Sequence, residues 1–305
     1  MDNILLKMLS LLSFILVGYL AKRLGLVREQ AISTLSLIIL DITLPCTIIK
    51  NFNGVNLDPD VLSILLLGFL LNFFCLAIGW FTGGRDRDSR GFSMINISGY
   101  NVGMFAMAFI QSFFPPSIFI PVCLCDVGNA IMTMGGNYAV AARACHAPGM
   151  NAGKMAGIVL RCVGFHCYIV LIVLAVLHIS LPDWAIAAVS PAAFINPFLC
   201  MFMIGIGLRF SMSKSSLRIV SRILVVRYAS HFLLCGAVLL LPLDRKITAA
   251  LILFLLSPVS GLCPIYTMRL VPRMLEDSAI NICVSILISI GLFLVLIPAL
   301  LHYAL

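Results

Sequence analysis

The chain alternates long apolar stretches with short polar segments. Because an α-helix rises 1.5 Å per residue, about 20 predominantly apolar residues are needed to cross the hydrocarbon core of a bilayer. By this measure the sequence predicts an all-α membrane protein with ten spans. The predicted spans lie near residues 4–21, 31–50, 61–82, 91–113, 117–141, 157–179, 185–208, 219–241, 247–268 and 279–302.

Two of the predicted spans are interrupted near their middle. The fourth contains Tyr100-Asn101-Val102-Gly103, and the ninth contains the segment from Ser257 to Pro264. Helix-breaking residues at bilayer depth strand backbone N–H and C=O groups, so such breaks persist only where they face protein or a watery cavity. A pair of breaks in corresponding halves indicates the binding site of a transporter.

Composition supports the membrane assignment and excludes several other classes. With 62% hydrophobic and 10% charged residues, the 305-residue chain has too little polar surface for a soluble globule. The 11 cysteines include no CxxC pair and the five histidines are scattered, so we expect neither a metal site nor a cofactor. No catalytic constellation or phosphate-binding loop is recognisable, so we do not expect an enzyme.

Lysine and arginine are concentrated in the loops on one side of the predicted spans. The loops after spans one, three, five, seven and nine carry 14 of them, whereas the opposite side carries four. Because positively charged loops stay in the cytoplasm, both termini are predicted to lie outside it. The net charge of +8 therefore reflects topology, and we expect no nucleic-acid partner.

Five spans in each half place the halves in opposite orientations, which is typical of inverted-repeat transporters. We predict a first five-helix repeat over residues 1–141, a cytoplasmic linker over 142–156 and a second repeat over 157–305. The span after each interruption carries a polar stripe on one helix face. The stripes are Asp126, Asn129, Thr133 and Asn137 in span five, and Asn281, Ser285 and Ser289 in span ten.

Five segments stand in a characteristic order along the chain: Gly18 to Leu26, Leu44-Pro45, Asn101-Val102-Gly103-Met104-Phe105, Pro258 with Pro264, and Glu276-Asp277-Ser278-Ala279. This ordered series resembles the auxin efflux carrier family, including its bacterial organic-acid permeases. In contrast to the proline that commonly follows the Asn-x-Gly stretch in that family, this chain continues with Ala106-Met107-Ala108-Phe109.

The resemblance implies ten spans in two inverted repeats, with broken helices four and nine crossing each other. It also implies an elevator mechanism, in which a transport bundle moves against a scaffold. Substrates of the family are carboxylates, namely auxin in plants and malate or malonate in bacteria. By the same resemblance we expect a location in the bacterial inner membrane and a homodimer formed through the scaffold helices.

Broken helices offer free N–H groups and about half a positive charge at each new N-terminus, which attract an anion. Small residues at these positions can also serve helix packing alone. The predicted substrate-binding residues are Asn101, Gly103, Asn129, Ser257, Ser260 and Gly261.

Two acidic residues, Asp41 and Asp126, lie deep in predicted spans and are candidates for ion coupling. Burying an unpaired carboxylate costs several kcal/mol, so each should be protonatable or paired. A structural ion pair between Asp126 and Arg227 is the alternative.

The sequence thus favours a secondary carrier of small organic anions, coupled to protons or driven by the membrane potential. A cation/proton antiporter that binds sodium or protons at Asp126 is the second hypothesis, and a channel or sensor the third.

Overall fold

The computed structural model describes residues 2–53, 61–146, 153, 157, 163–208 and 214–304. In these ranges the regular structure is helical, and two residues form an isolated β-bridge. The helices are α1 Asp2–Arg23, α2 Ala31–Ile38, α3 Leu44–Phe52, α4 Val61–Thr82, α5 Arg87–Ile97, α6 Met107–Phe113, α7 Pro116–Ile131, α8 Asn137–Ala144, α9 Val163–Val176, α10 Asp183–Gly207, α11 Lys214–Leu240, α12 Arg245–Leu255, α13 Cys263–Leu270 and α14 Leu275–Ala304.

Three wide π-type turns join or precede some of these helices. They cover Ile39–Thr43 between α2 and α3, Val102–Ala106 before α6, and Met132–Gly136 between α7 and α8. Turns of this type often occur at functional sites. The first contains Asp41, and the second follows the interruption predicted at Asn101.

Among the described residues, seven helical segments are long and apolar enough to cross a membrane. The chain is therefore an all-α membrane protein, as predicted. Predicted spans four and nine each fall on two shorter helices, and span six falls on α9, which begins in the described part at Val163. Most of the predicted linker 142–156 lies outside the described residues. The seven segments are Ile4–Arg23, Ala31–Phe52, Ser63–Thr82, Pro116–Ala144, Asp183–Gly207, Ser215–Leu240 and Pro272–Ala304.

The helices pack as two groups. Helices α1, α2, α3, α9 and α10 pack together, and we name them the support unit. Helices α4, α5, α7, α8 and α11 to α14 form the second group, the bundle unit. Helix α6 lies between them and contacts both α7 and α10. The wide turns at Ile39–Thr43 and Val102–Ala106 also touch where the units meet.

Within the bundle unit, α4 and α7 approach until their backbones touch. A Cβ atom on Gly68 would lie 2.0 Å from the carbonyl oxygen of Cys125, and one on Gly128 would lie 2.1 Å from that of Leu65. Only glycine permits this approach, because any side chain would collide with a backbone oxygen. The contact brings Asn72 of α4 to 3.3 Å from Asn129 of α7, measured from Nδ2 to Oδ1.

Candidate functional site

Two short non-helical segments, one before α6 and one before α13, lie next to each other in the structure. Helix α5 ends at Ile97, and the wide turn that leads into α6 begins at Val102. Helix α12 ends at Leu255, and α13 begins at Cys263. In the first connection Gly99 has a φ of 77°, a left-handed conformation that glycine adopts without strain. We name residues 98–101 and 256–262 together the crossing.

The two segments of the crossing pair with each other through their backbones. Tyr100 and Val259 form an antiparallel β-bridge, and the N–H of Asn101 donates to the carbonyl oxygen of Pro258 at 2.9 Å. Buried backbone groups outside helices need such partners, because an unsatisfied group is costly. Each segment thus supplies backbone hydrogen-bond partners to the other, in place of the partners that a continuous helix would have provided.

Asn129 of α7 completes the hydrogen bonding of Tyr100. The N–H of Tyr100 donates to Asn129 Oδ1 at 3.1 Å, and Asn129 Nδ2 donates to the Tyr100 carbonyl at 3.0 Å. The side chain is buried, with 2% of the residue exposed. A carboxamide carries a donor and an acceptor side by side, so one asparagine satisfies both backbone groups.

Helix α14 serves the second segment in a similar way. The N–H of Val259 donates to Ser285 Oγ at 3.3 Å, and the hydroxyl of Ser289 donates to the Leu256 carbonyl at 2.8 Å. Both polar stripes predicted from the sequence therefore include residues that hydrogen-bond to the break preceding them. Neither Ser285 nor Ser289 is exposed.

Arg227 of α11 lies behind the crossing and is completely buried. Its Nη1 donates to the carbonyl of Ile97, its Nη2 donates to that of Ser257 at 3.1 Å, and the guanidinium lies 4.9 Å from the ring centroid of Tyr100. The Ile97 carbonyl lies at the C-terminal end of α5 and the Ser257 carbonyl just after that of α12, where each helix concentrates about half a negative charge. One guanidinium therefore neutralises two helix ends.

His231 extends this arrangement by one turn of α11. Its Nδ1 lies 2.5 Å from the Arg227 carbonyl and its Nε2 lies 2.9 Å from the hydroxyl of Tyr100. Because a carbonyl only accepts, Nδ1 carries the proton, and the neutral ring accepts from Tyr100 through Nε2. The i, i+4 spacing of Arg227 and His231 in an apolar helix is the sequence signal that could have identified this pair.

Asp126 of α7 is held by neutral groups. Its Oδ1 accepts from Asn129 Nδ2 at 2.9 Å, and its Oδ2 accepts from the hydroxyl of Tyr168 at 3.1 Å. The ion pairs found among the described residues do not include Asp126. Arg227 instead binds the backbone at the crossing. The alternative of a structural ion pair between Asp126 and Arg227 is therefore wrong, because helix ends take the place of the carboxylate.

Two cavities adjoin the crossing. The larger, of about 840 Å³, lies between the support and bundle units, and the smaller, of about 110 Å³, lies beside Asp126 and Tyr168. Both are lined by Asn101, Met104 and Gly261. The wall of the larger cavity is mostly apolar and is formed largely by residues of α10 and α14. Arg273 and Glu276 are the charged residues in this wall.

The structure brings most of the predicted site residues to these cavities. Asn101 and Gly261 line both, while Asn129, Ser260, Gly103 and Asp126 line the smaller one. Two predicted residues line neither cavity. Ser257 is completely buried, and its hydroxyl donates to the carbonyl of Leu253. Asp41 lies in the wide turn between α2 and α3.

Comparison with known proteins identifies a family over the first part of the chain. Residues 3–145 match the family described as membrane transport protein, the auxin efflux carrier family. The match includes the first segment of the crossing and the stripe from Asp126 to Asn137, and over residues 3–145 it confirms the resemblance found from the motifs. It indicates that the protein is a membrane transporter. No curated protein matches the chain.

Proposed function

We propose that the protein is a secondary active transporter of small organic anions, mono- or dicarboxylates, that binds its substrate at the crossing. The observation that carries this proposal is that the starts of two helices, with Met104 in the first and Pro264 in the second, line one cavity of about 840 Å³. The first N–H groups of a helix have no partner within it and attract negative charge.

The balance of charge at the crossing favours an anion. Four helix ends meet there, two with partial positive and two with partial negative charge. Arg227 binds the carbonyls of Ile97 and Ser257 and so cancels the negative ends. The N–H of Cys263 already donates to the Ser260 carbonyl at 3.2 Å, so the positive end near Val102 and the backbone at Gly261 are left for the substrate. Asn101, at the junction of both cavities, is suited to orient a carboxylate through its amide.

The proposed mechanism is alternating access of the elevator type. We propose ten spans in two inverted repeats, with α5–α6 and α12–α13 as the broken spans four and nine. The larger cavity supports this proposal because it lies between the support and bundle units. Arg273 in its wall belongs to a loop predicted to be cytoplasmic, so the cavity corresponds to an inward-facing state in a cell membrane.

Asp126 is the proposed proton-coupling group, and Asp41, which lines neither cavity, is the weaker candidate. A buried carboxylate without a cation is costly, so a proton is the simplest means of neutralising it. Because Asp126 contacts Asn129, which holds Tyr100, a proton there acts close to the substrate site. Transport by Asp126→Asn should therefore lose its dependence on pH.

A cation/proton antiporter is the second candidate function, and one observation favours it. Asp126, Asn129 and Thr133, whose side chains carry oxygen atoms, line the smaller cavity, and hard cations prefer oxygen ligands. In this case sodium or lithium salts, without any carboxylate, should stabilise the protein.

A thermal-shift screen of the purified chain separates the two candidates. We expect monocarboxylates or dicarboxylates to raise the melting temperature, and Asn101→Ala to abolish that shift. Asn51→Ala is a matched control, because Asn51 donates to the Thr47 carbonyl in α3, away from both cavities. An Asn101→Ala variant that responds to carboxylates as the wild type does would place the anion site elsewhere. A response to sodium alone would favour the antiporter.

A further inference from the structure

We infer that Tyr168 couples the proton at Asp126 to movement between the two helix units, as a positioning residue of the transport cycle. The inference rests on the proposed function, because it assumes that the bundle unit moves against the support unit. Tyr168 belongs to α9 of the support unit, whereas Asp126 belongs to α7 of the bundle unit. Their hydrogen bond therefore joins the units that must separate.

The contact is buried and well placed to act as a link. Tyr168 is 3% exposed, and its hydroxyl lies 3.1 Å from Asp126 Oδ2. The preceding residue, Cys167, directs its thiol to the Pro45 carbonyl of α3 at 3.7 Å. Adjacent residues of α9 thus contact both units. A change in the hydrogen bond of Tyr168 therefore affects the interface between the two units.

The surroundings of Asp126 leave this bond sensitive to its protonation state. The groups that interact with it electrostatically are the thiols of Cys123 and Cys125 and the phenol of Tyr168. None of these is a cation. The charged or titratable residues on the helices packed against α7 include Lys50 of α3, His166 of α9, and Arg245 and Lys246 of α12, which are all exposed.

The position of the proton follows from the other partners of Asp126. Oδ1 already accepts from Asn129 Nδ2, and Asn129 is fixed by its two hydrogen bonds to Tyr100. A proton is therefore best placed on Oδ2, the oxygen that accepts from Tyr168. That oxygen then becomes a hydroxyl, which is a poorer acceptor than a carboxylate oxygen. Hydrogen bonds to a carboxylate are roughly twice as strong as those between neutral groups. Protonation thus weakens the link, and loss of the proton restores it.

The test measures distances between the units, and needs no identified substrate. Spin labels are attached to ketone-bearing amino acids introduced at Phe194 of α10 and Val225 of α11, which are 84% and 66% exposed. In the full-length wild-type background we expect two distance populations, whose ratio changes about tenfold between about pH 4 and about pH 9, a range that includes the titration of buried carboxyl groups. Tyr168→Phe should give the acidic ratio at every pH, because it keeps the ring and removes only the hydroxyl.

Tyr266→Phe is the matched control. The hydroxyl of Tyr266 donates to the Thr133 carbonyl at 2.9 Å, entirely within the bundle unit, so this variant should respond to pH as the wild type does. A Tyr168→Phe variant with the wild-type response would overturn the inference and leave the proposed function standing. A wild type with one distance population at every pH would contradict both the moving bundle and the link. Asp126→Asn should behave like Tyr168→Phe, since it too lacks a hydrogen bond from the phenol of Tyr168 to a carboxylate.

Discussion

Replacing Arg227 by methionine removes the charge behind the crossing while keeping a long apolar side chain. The carbonyls of Ile97 and Ser257 then lose their donor, and Tyr100 loses its cation–π partner. Each buried carbonyl left unsatisfied costs about 1–3 kcal/mol, and a desolvated cation–π contact contributes about 2 kcal/mol. Against this, the guanidinium no longer has to be buried, which returns several kcal/mol.

We expect a net loss of about 3 kcal/mol in the free energy of unfolding, or a fall of about 6 °C in melting temperature. Carboxylate binding should weaken as well, because the negative helix ends are no longer neutralised. The assay is thermal unfolding of the purified protein in detergent, with and without the carboxylate that stabilises the wild type most. Arg227→Lys should fall between the two, since an ammonium is a point charge without the planar fork that reaches both carbonyls.

Arg222→Met is the matched control for this variant. Arg222 lies on the same helix and is exposed, and its Nη2 donates to the Thr82 carbonyl at 2.5 Å. Its replacement should change the free energy of unfolding by no more than about 0.5 kcal/mol. The reasoning is refuted if Arg227→Met has the same melting temperature as Arg222→Met and binds the anion with wild-type affinity.

Three other variants test the structure around the site. Asn129→Leu leaves the backbone of Tyr100 without its partners, and should lower stability by about 2–4 kcal/mol in thermal unfolding; an unchanged melting temperature would exclude this role. Gly128→Val forces α4 away from α7, so size-exclusion chromatography should show little monodisperse protein, and a wild-type yield would count against the close contact. Asp86→Ala tests pH dependence, because the backbone N–H of Ser89 lowers the pKa of Asp86. Ionised Asp86 stabilises the folded protein at pH values above the pKa that this group has in the unfolded chain. That stabilisation is lost as the pH falls through the lower pKa of the folded state. The difference in melting temperature from the wild type should therefore shrink below about pH 4, and a constant difference would refute this origin.

Hydropathy and helix-breaking residues were sufficient to locate the principal elements. Apolar length predicted the segments around α1, α4 and α10, because a bilayer requires that length of any spanning helix. Prolines 258 and 264 lie within or just after the second segment of the crossing, where they limit helical hydrogen bonding. The spacing of Asp126 and Asn129 correctly predicted that they share a face.

The partners of these residues could not be predicted, because they depend on how helices far apart in the chain meet. In the sequence Arg227 is a buried cation, and the obvious partner for it is a buried acid. The structure instead supplies two helix ends, whose partial charges depend on where each helix stops rather than on residue type. The role of Tyr168 could not be predicted either, since a single tyrosine in an apolar span does not indicate which helix it faces.

The central claim is that a carboxylate is held where the two helix starts meet. An electron cryo-microscopy structure of the full-length protein, with the carboxylate that stabilises it most, tests this directly. We predict density for the carboxylate beside Asn101, with its oxygens about 2.7–3.2 Å from backbone N–H groups at the two breaks, near Gly103 and Gly261. Density for the ligand at another position, with the crossing empty at saturating concentration, would contradict the account.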